Sequence, residues 1–334
     1  MPSIRAKTHD FFLNIWYGKS RFMYLLYPIT GLYCMVVTVR LVLYKLNILK
    51  SQAFDVPVVV IGNITVGGTG KTPLVIWLAN YLKDSGYRPG IISRGYLGKA
   101  QSWPQQVRPD SDPVMIGDEA IVIARRTQCP IAVGPDRVAS CAALLKYHDC
   151  DIVLSDDGLQ HYRLERDVEI MVVDGVRRFG NEHCLPAGPL REPVQRMEKV
   201  DFIVANGVAK TSEYAMRYTS TVIYRLLDPS DTMTLSSLKS NSVHAVAAIG
   251  NPSRFYDFLK GQGLNIVAHD FPDHYAYFAH DLDFADDKMI ILTEKDAVKC
   301  QRIANDKMWV LPVDVDIKRE FGIRFLEKIA QCSK

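Results

Sequence analysis

The apolar run Val56-Pro57-Val58-Val59-Val60-Ile61 leads within a few residues into Thr65-Val66-Gly67-Gly68-Thr69-Gly70-Lys71-Thr72. A buried strand entering a glycine-rich turn, with Pro73 where the first turn of a helix tolerates it, is the architecture of a phosphate-binding loop. Glycines let backbone N–H groups converge on a polyphosphate, the helix N-terminus adds positive potential, and Lys71 reaches the terminal phosphates. Thr72 offers the hydroxyl expected on Mg²⁺. The chain is therefore expected to bind a nucleoside triphosphate through Thr65, Val66, Gly67, Gly68, Thr69, Gly70, Lys71 and Thr72. The usual pattern has a glycine five residues before the Gly-Lys pair, and here Thr65 holds that place. The paired Gly67-Gly68 moves the flexibility inward, as in the variant loop of dimerising ATPases. Those proteins carry a lysine where this chain has Val66.

After the loop, strand and helix patterns alternate. Residues 73–85, 118–127 and 136–147 read as helices; 89–93, 151–155 and 169–174 read as strands; 97–112 is a polar surface excursion. This period predicts an α/β fold, a P-loop NTPase-like, mostly parallel sheet with flanking helices and the phosphate loop at a strand's carboxyl end. Regularity lapses around 209–240, where 220–224 alone is strand-like. Strands at 243–250, 289–293 and 308–315 and a helix at 252–261 then suggest a smaller α/β unit. The expected division is a basic, apolar helical segment over 1–54, a nucleotide-binding domain over 55–215, a linker over 216–240 and a C-terminal domain over 241–334.

The first fifty residues contain seven Lys or Arg and one acid, Asp10. The whole chain is only +3, so the remainder is about −3, which makes nucleic acid a poor partner for the main body. Seven cysteines at irregular spacing, with no Cys-x-x-Cys, imply reduced thiols in a cytoplasmic compartment and no structural zinc. From Phe22 to Val39 there are 18 residues without a charge, interrupted by Pro28 and Gly31. Aromatics and the flanking cations Arg40, Lys45 and Lys50 suit a helix lying in the headgroup layer of an anionic leaflet. A bilayer span and a buried helical subdomain are the other arrangements this stretch allows.

A second chemical feature is Leu154-Ser155-Asp156-Asp157-Gly158, an apolar strand ending in paired carboxylates. Opposite a phosphate loop, one acid holds the metal directly or through water and the other orients water or a phosphate-bound group. The sequence does not decide which aspartate does which.

Several blocks, in order, resemble the tetraacyldisaccharide 4′-kinases, the lipid A 4′-kinases of Gram-negative bacteria. They are residues 62–73, Ile92-Ser93-Arg94-Gly95-Tyr96, Gly117-Asp118-Glu119, Ser155-Asp156-Asp157-Gly158-Leu159-Gln160-His161, Pro186-Ala187-Gly188-Pro189-Leu190-Arg191-Glu192-Pro193 and Thr293-Glu294-Lys295-Asp296. Ala120 and Leu159 depart from the family's usual proline and phenylalanine without removing a chemical group. The resemblance implies transfer of the ATP γ-phosphate, with Mg²⁺, to the 4′-hydroxyl of a disaccharide 1-phosphate lipid A precursor, giving lipid IVA. It also implies residence at the cytoplasmic face of the bacterial inner membrane. It makes Asp118 the catalytic base, paired with His274, with Lys71 on the phosphates. Glu192 is a candidate further metal ligand and Arg191 a phosphate contact, a loop ion pair being the plainer reading of both. Thr72, Asp156 and Asp157 complete the metal candidates. The competing class is a membrane-recruited ATPase switch without a sugar acceptor, which Val66 disfavours.

Overall fold

The structure is a computed structural model describing residues 4–18 and 20–332; residues 1–3 and Lys19 of the expected N-terminal segment, and 333–334, lie outside the described residues. Among these residues the chain builds two sheets. Strands β1 (Val58–Gly62), β2 (Pro89–Ser93), β3 (Gln105–Val107), β4 (Ile131–Val133), β5 (Ile152–Asp156), β6 (Val168–Asp174), β7 (Phe202–Asn206) and β8 (Tyr214–Tyr218) form most of the larger sheet. The smaller sheet takes β9 (Val222–Arg225), β10 (Thr232–Thr234), β11 (Ser242–Ala247), β12 (Asn265–Asp270), β13 (Ile290–Thr293) and β14 (Met308–Leu311). Strand β15 (Val315–Ile317) returns to the larger sheet. The helices are α1 (Ile4–Tyr17), α2 (Met23–Lys45), α3 (Lys71–Asp84), α4 (Pro113–Ile116), α5 (Asp118–Thr127), α6 (Arg137–Tyr147), α7 (Pro252–Gly261), α8 (Glu294–Cys300) and α9 (Arg319–Cys332).

The larger sheet runs β15-β8-β7-β6-β1-β5-β2-β4-β3, parallel except at its two ends, where β15 and β3 pair antiparallel. Alternate residues of the central β1 serve opposite faces. Val59 and Ile61 meet Leu74, Leu78 and Ile121, whereas Val58 and Val60 meet Val138, Cys141 and Leu144. Burial on both faces is why β1 reads as an unbroken apolar run rather than an alternating one. The α/β class read from the sequence holds. The central position of β1, with β5 and β6 as its neighbours, places the phosphate loop and the Asp156-Asp157 pair side by side at the carboxyl edge.

The expected boundaries differ from the structure in two places. Strands β9 and β10 lie inside the stretch expected as linker and belong to the smaller sheet. The end of the chain leaves that sheet: Ile317, Phe321, Phe325 and Ile329 are buried in the larger sheet's core. The Phe321 ring lies 5.5 Å from Phe202 and 5.1 Å from Tyr214. The spacing of Phe321, Phe325 and Ile329 is one face of a helix, and that face is buried in the larger sheet's core. The two crossings between sheets run together, with the Thr219 N–H donating to the Asp314 carbonyl and the Asp314 N–H to Ser220 Oγ.

Helix α2 is long and apolar enough to cross a bilayer. Thr30 is its buried residue, and Leu25, Ile29, Leu32, Met35, Val36 and Val39 are exposed. Removal of the wholly buried Phe321 ring (Phe321→Ala) should cost about 3–5 kcal/mol in chemical denaturation, against about 0.5 kcal/mol or less for the exposed Ile323→Ala on the same helix. Similar losses at the two positions would refute the docking of α9 on the larger sheet.

Candidate active site

The turn after β1 is held open from both sides. Asn63 donates from Nδ2 to Thr65 Oγ1 and to the Gly67 carbonyl, while its Oδ1 accepts from Lys71 Nζ at 3.1 Å. Asn206 at the end of β7 donates to the Thr69 carbonyl at 3.0 Å. Gly70 has φ 97°, and a Cβ there would come within 2.3 Å of Asn206 Nδ2, so only glycine fits. Among the described residues, the N–H groups of Gly67, Gly68, Thr69 and Gly70 have no acceptor, and the buried Thr69 Oγ1 has no partner. Four free donors with a lysine at the head of α3 form an anion cradle. Of the two residues before it that were expected in the cradle, Val66 has its N–H committed to the Pro189 carbonyl at 2.8 Å, while Thr65 lies opposite Leu190 in the same bridge and accepts from Asn63 at Oγ1. The free donors are those of Gly67–Gly70.

Strand β5 delivers the carboxylates. Asp156 is buried; its Oδ2 accepts from Ser93 Oγ at 3.3 Å, and Oδ1 has no hydrogen-bond partner. Burial, with the nearby Glu119 carboxylate, raises its pKa well above the usual carboxylate value. Asp157 turns outward at φ 51°, and its Oδ1 pairs with Lys71 and Arg191, each at 3.3 Å. Burial opposes ionisation there, but the Lys71 and Arg191 charges win and hold the carboxyl below its ordinary value. Behind both lies the buried Arg137, whose Nη2 donates to the Asp156 carbonyl at 3.1 Å. Burial lowers the Arg137 pKa to about 10.

A hard divalent cation fits this donor set. The orphaned Asp156 oxygen, Asp157 and Thr72 all offer oxygen, the ligand type that Mg²⁺ takes. Among the described residues no three His, Cys, Asp or Glu converge on a metal, so most of the cation's coordination falls to phosphate oxygens and water. Glu192 does not fit the metal role expected of it. One oxygen accepts from Gln160 at 2.7 Å; the other takes Tyr162 OH and pairs with Arg196 at 3.3 Å. With both oxygens spent and the side chain buried, Glu192 is a structural hub.

The third group spans the two sheets. Helix α5 begins after Gly117 (φ 90°), and Asp118 Oδ1 accepts the Glu119 N–H at 2.8 Å. Asp118 Oδ2 meets His274 Nδ1 at 3.0 Å, and the neighbouring Glu119 pairs with Lys295 at 2.7 Å. His274 follows β12 on a loop, in left-handed conformation at φ 60°. Burial pushes the Asp118 carboxyl up, but the His274 hydrogen bond and the Lys295 charge outweigh it and hold the pKa at about 2. Burial lowers that of His274 while the bond to Asp118 raises it, and the bond prevails. Between the sheets lies a cleft of about 220 Å³, lined by Gly68–Pro73 and Glu119 on one side and by Phe258, Thr293–Lys295 and Leu311–Val313 on the other. The structure thus brings Lys71, Thr72, Asp156 and Asp157 together at one edge and joins Asp118 to His274 across the sheets.

Residues 22–330 match the sequence profile of the tetraacyldisaccharide-1-P 4′-kinase family. The tetraacyldisaccharide 4′-kinase of Nitrosococcus oceani is 52% identical over 322 residues, which are 96% of this chain and 95% of that protein. That of Coxiella burnetii is 45% identical over 318 residues, 95% and 94% of the two. The chain belongs to this family. A crystal structure of LpxK from Aquifex aeolicus in complex with ATP has the same fold, with a TM-score of 0.76 at 27% identity over 92% of this chain and 99% of that one. Asn63, Asn206 and Arg137 also support the site, through Lys71, the Thr69 carbonyl and the Asp156 carbonyl. Asn63 stands inside the loop block and was legible as part of it; Asn206 and Arg137 carry no local signal.

The Asp118–His274 pair sets a pH window. The Asp118 carboxyl titrates at about 2 in the fold against 3.8 when free, worth roughly 2 kcal/mol. Because the folded value is the lower one, this stabilisation is complete above about pH 4 and is lost as pH falls through about 2. His274, raised, contributes fully below its free value of 6.5 and less as pH rises through its folded value. Asp118→Asn should therefore lose most stability between these limits, with a flatter urea-denaturation profile on the acid side. Parallel profiles for the two proteins would show that the pair is not formed.

Proposed function

We infer that the chain transfers the γ-phosphate of ATP to the 4′-hydroxyl of a tetraacyldisaccharide 1-phosphate. Membership in the kinase family supports the substrate and reaction class. The observation that carries the reading is the empty-handed cradle of Gly67–Gly70 beside a cleft where Asp118 meets His274 at 3.0 Å. In this proposal Lys71 exchanges Asp157 for the terminal phosphates, and Arg191, already beside Asp157, supplies a second cation to the transferred group. A Mg²⁺ ion carried in on the nucleotide would be held by Thr72 and by Asp156 or Asp157, and would neutralise charge on the phosphates. Asp118 takes the proton of the attacking hydroxyl, and His274 orients it and balances its charge. A carboxylate held near 2 is a weak base, but a loose phosphoryl-transfer transition state leaves the hydroxyl proton in place until late, so position counts for more than base strength.

The ATPase switch is not favoured, because Val66 supplies no lysine and the relatives are named as kinases. The acceptor's acyl chains and the exposed apolar face of α2 together support residence at the cytoplasmic face of the inner membrane, with Arg21, Arg40, Lys45 and Lys50 toward anionic headgroups. We propose further that the two sheets behave as two units, 58–218 with 315–332 and 222–311, pivoting at the paired crossings.

Labelled γ-phosphate should move from ATP to tetraacyldisaccharide 1-phosphate in detergent. Asp118→Ala should lower kcat by about 10²–10⁴-fold with little change in KM for ATP. Label released as free phosphate without lipid would overturn the kinase reading. On the apolar face, Leu32→Glu with Val36→Glu should abolish pelleting with anionic vesicles, and unchanged pelleting would reject the membrane role.

A further inference from the structure

Residues 183–191 lie between the apolar helix and the phosphate loop and are bonded to both. On the helix side, Thr30 Oγ1 accepts the Ala187 N–H at 3.0 Å and Tyr33 OH donates to the Arg191 carbonyl at 2.9 Å. From α1, the Trp16 indole N–H donates to the Pro186 carbonyl at 2.9 Å. On the loop side, the Val66 N–H donates to the Pro189 carbonyl at 2.8 Å, and the Arg191 N–H to the Ile64 carbonyl at 2.6 Å. Arg191 closes the path, since its guanidinium meets Asp157, the partner of Lys71.

Thr30 is buried against this strap while the far face of α2 is exposed and apolar, so one helix has one side for the strap and the other for lipid. We propose that Tyr33 is a positioning residue through which a lipid surface sets the nucleotide site. The inference rests on the membrane reading above. Lipid contact fixes the helix, the helix fixes the strap through Tyr33 and Thr30, and the strap fixes both the backbone before Gly67 and the Arg191 cation. A free helix relaxes the strap and leaves the cradle less organised for phosphate. The recognised surface is a lipid bilayer as such, without the disaccharide. Coupling of this kind is reciprocal, so the nucleotide must tighten membrane binding by the same factor.

The test uses the full-length protein, a fluorescent ATP analogue with Mg²⁺, and vesicles of phosphatidylethanolamine and phosphatidylglycerol free of disaccharide. Vesicles should tighten analogue binding by the wild type roughly three- to tenfold, the worth of one hydrogen bond. Tyr33→Phe keeps the ring and should pellet with vesicles as before, yet lose most of that gain. Its KM for ATP should rise by the same factor, while its KM for the lipid acceptor stays put. A purely structural role for Tyr33 would instead lower the unfolding midpoint and move both KM values. Vesicle pelleting without any change in the wild type's analogue affinity would overturn this coupling alone. Failure of the wild type to pellet would overturn it together with the membrane reading. A Tyr33→Phe protein that keeps the full gain would remove Tyr33 from the path.

Discussion

Lys71 sits within 3.3 Å of Asp157, and Asp157 stands beside the buried Asp156; the surrounding structure exists largely to make this cluster tolerable. Burying charges costs several kcal/mol per ion unless each finds a partner. The fold meets that cost unevenly. Asp157 has two cations, and its ionised form is favoured. Asp156 keeps one oxygen without a partner and is pushed toward protonation. Adjacent carboxylates oppose each other's ionisation, and here the placement of the cations decides which of the two keeps its charge. One is already balanced by protein charges and the other is left short of a cation. A bound Mg²⁺–nucleotide has the charge and the donor chemistry to complete the set. The same incompleteness recurs in the backbone, where, among the described residues, four consecutive N–H groups stay unpaired. Asn63 and Asn206, fastened to the loop's carbonyls, keep it from collapsing onto them.

Asp118 belongs to the larger sheet's layer of helices, but its partners come from the smaller one. His274 follows β12, and Lys295, whose charge depresses the Asp118 pKa, lies in the first turn of α8. A displacement of the smaller sheet that broke these contacts would remove the interactions that hold the Asp118 pKa down. Close to the paired crossings, Arg126 makes two 2.9 Å hydrogen bonds to the buried Glu294, and also pairs with Asp314. Glu294 immediately precedes Lys295, so the helix that carries Asp118 and the helix that completes its electrostatics are joined near the paired crossings.

Much of this could be read from the sequence because phosphate binding is a local problem. A strand, a glycine turn and a helix start are contiguous, and their residue types are set by φ, by sterics and by charge. Val58–Ile61 and Gly70 are legible for that reason. The Asp118–His274 pair lies 156 residues apart in the chain, and nothing local to either residue distinguishes it from a helix cap and a loop histidine; only the family resemblance joined them. In the sequence Glu192 stays open between ligand and loop ion pair because its partners Gln160, Tyr162 and Arg196 come from both directions along the chain. The return of α9 to the larger sheet escaped because its apolar face fits any apolar partner. Strands β7 and β12 escaped because segmental periodicity is weak in runs of five or six residues.

Charge distribution carries the final step. The first fifty residues are +6 and the rest about −3, so the molecule has a strong electrical polarity that a net charge of +3 conceals. Near an anionic leaflet each exposed Lys or Arg contributes about 1 kcal/mol of attraction, which decays within a Debye length of roughly 10 Å. On the proposed membrane reading, the basic segment would be drawn in and the acidic body held off, with the exposed apolar face of α2 presented to lipid. Residues 183–191, bonded to α2 on one side and to the phosphate loop on the other, are the stretch through which the proposed coupling would run.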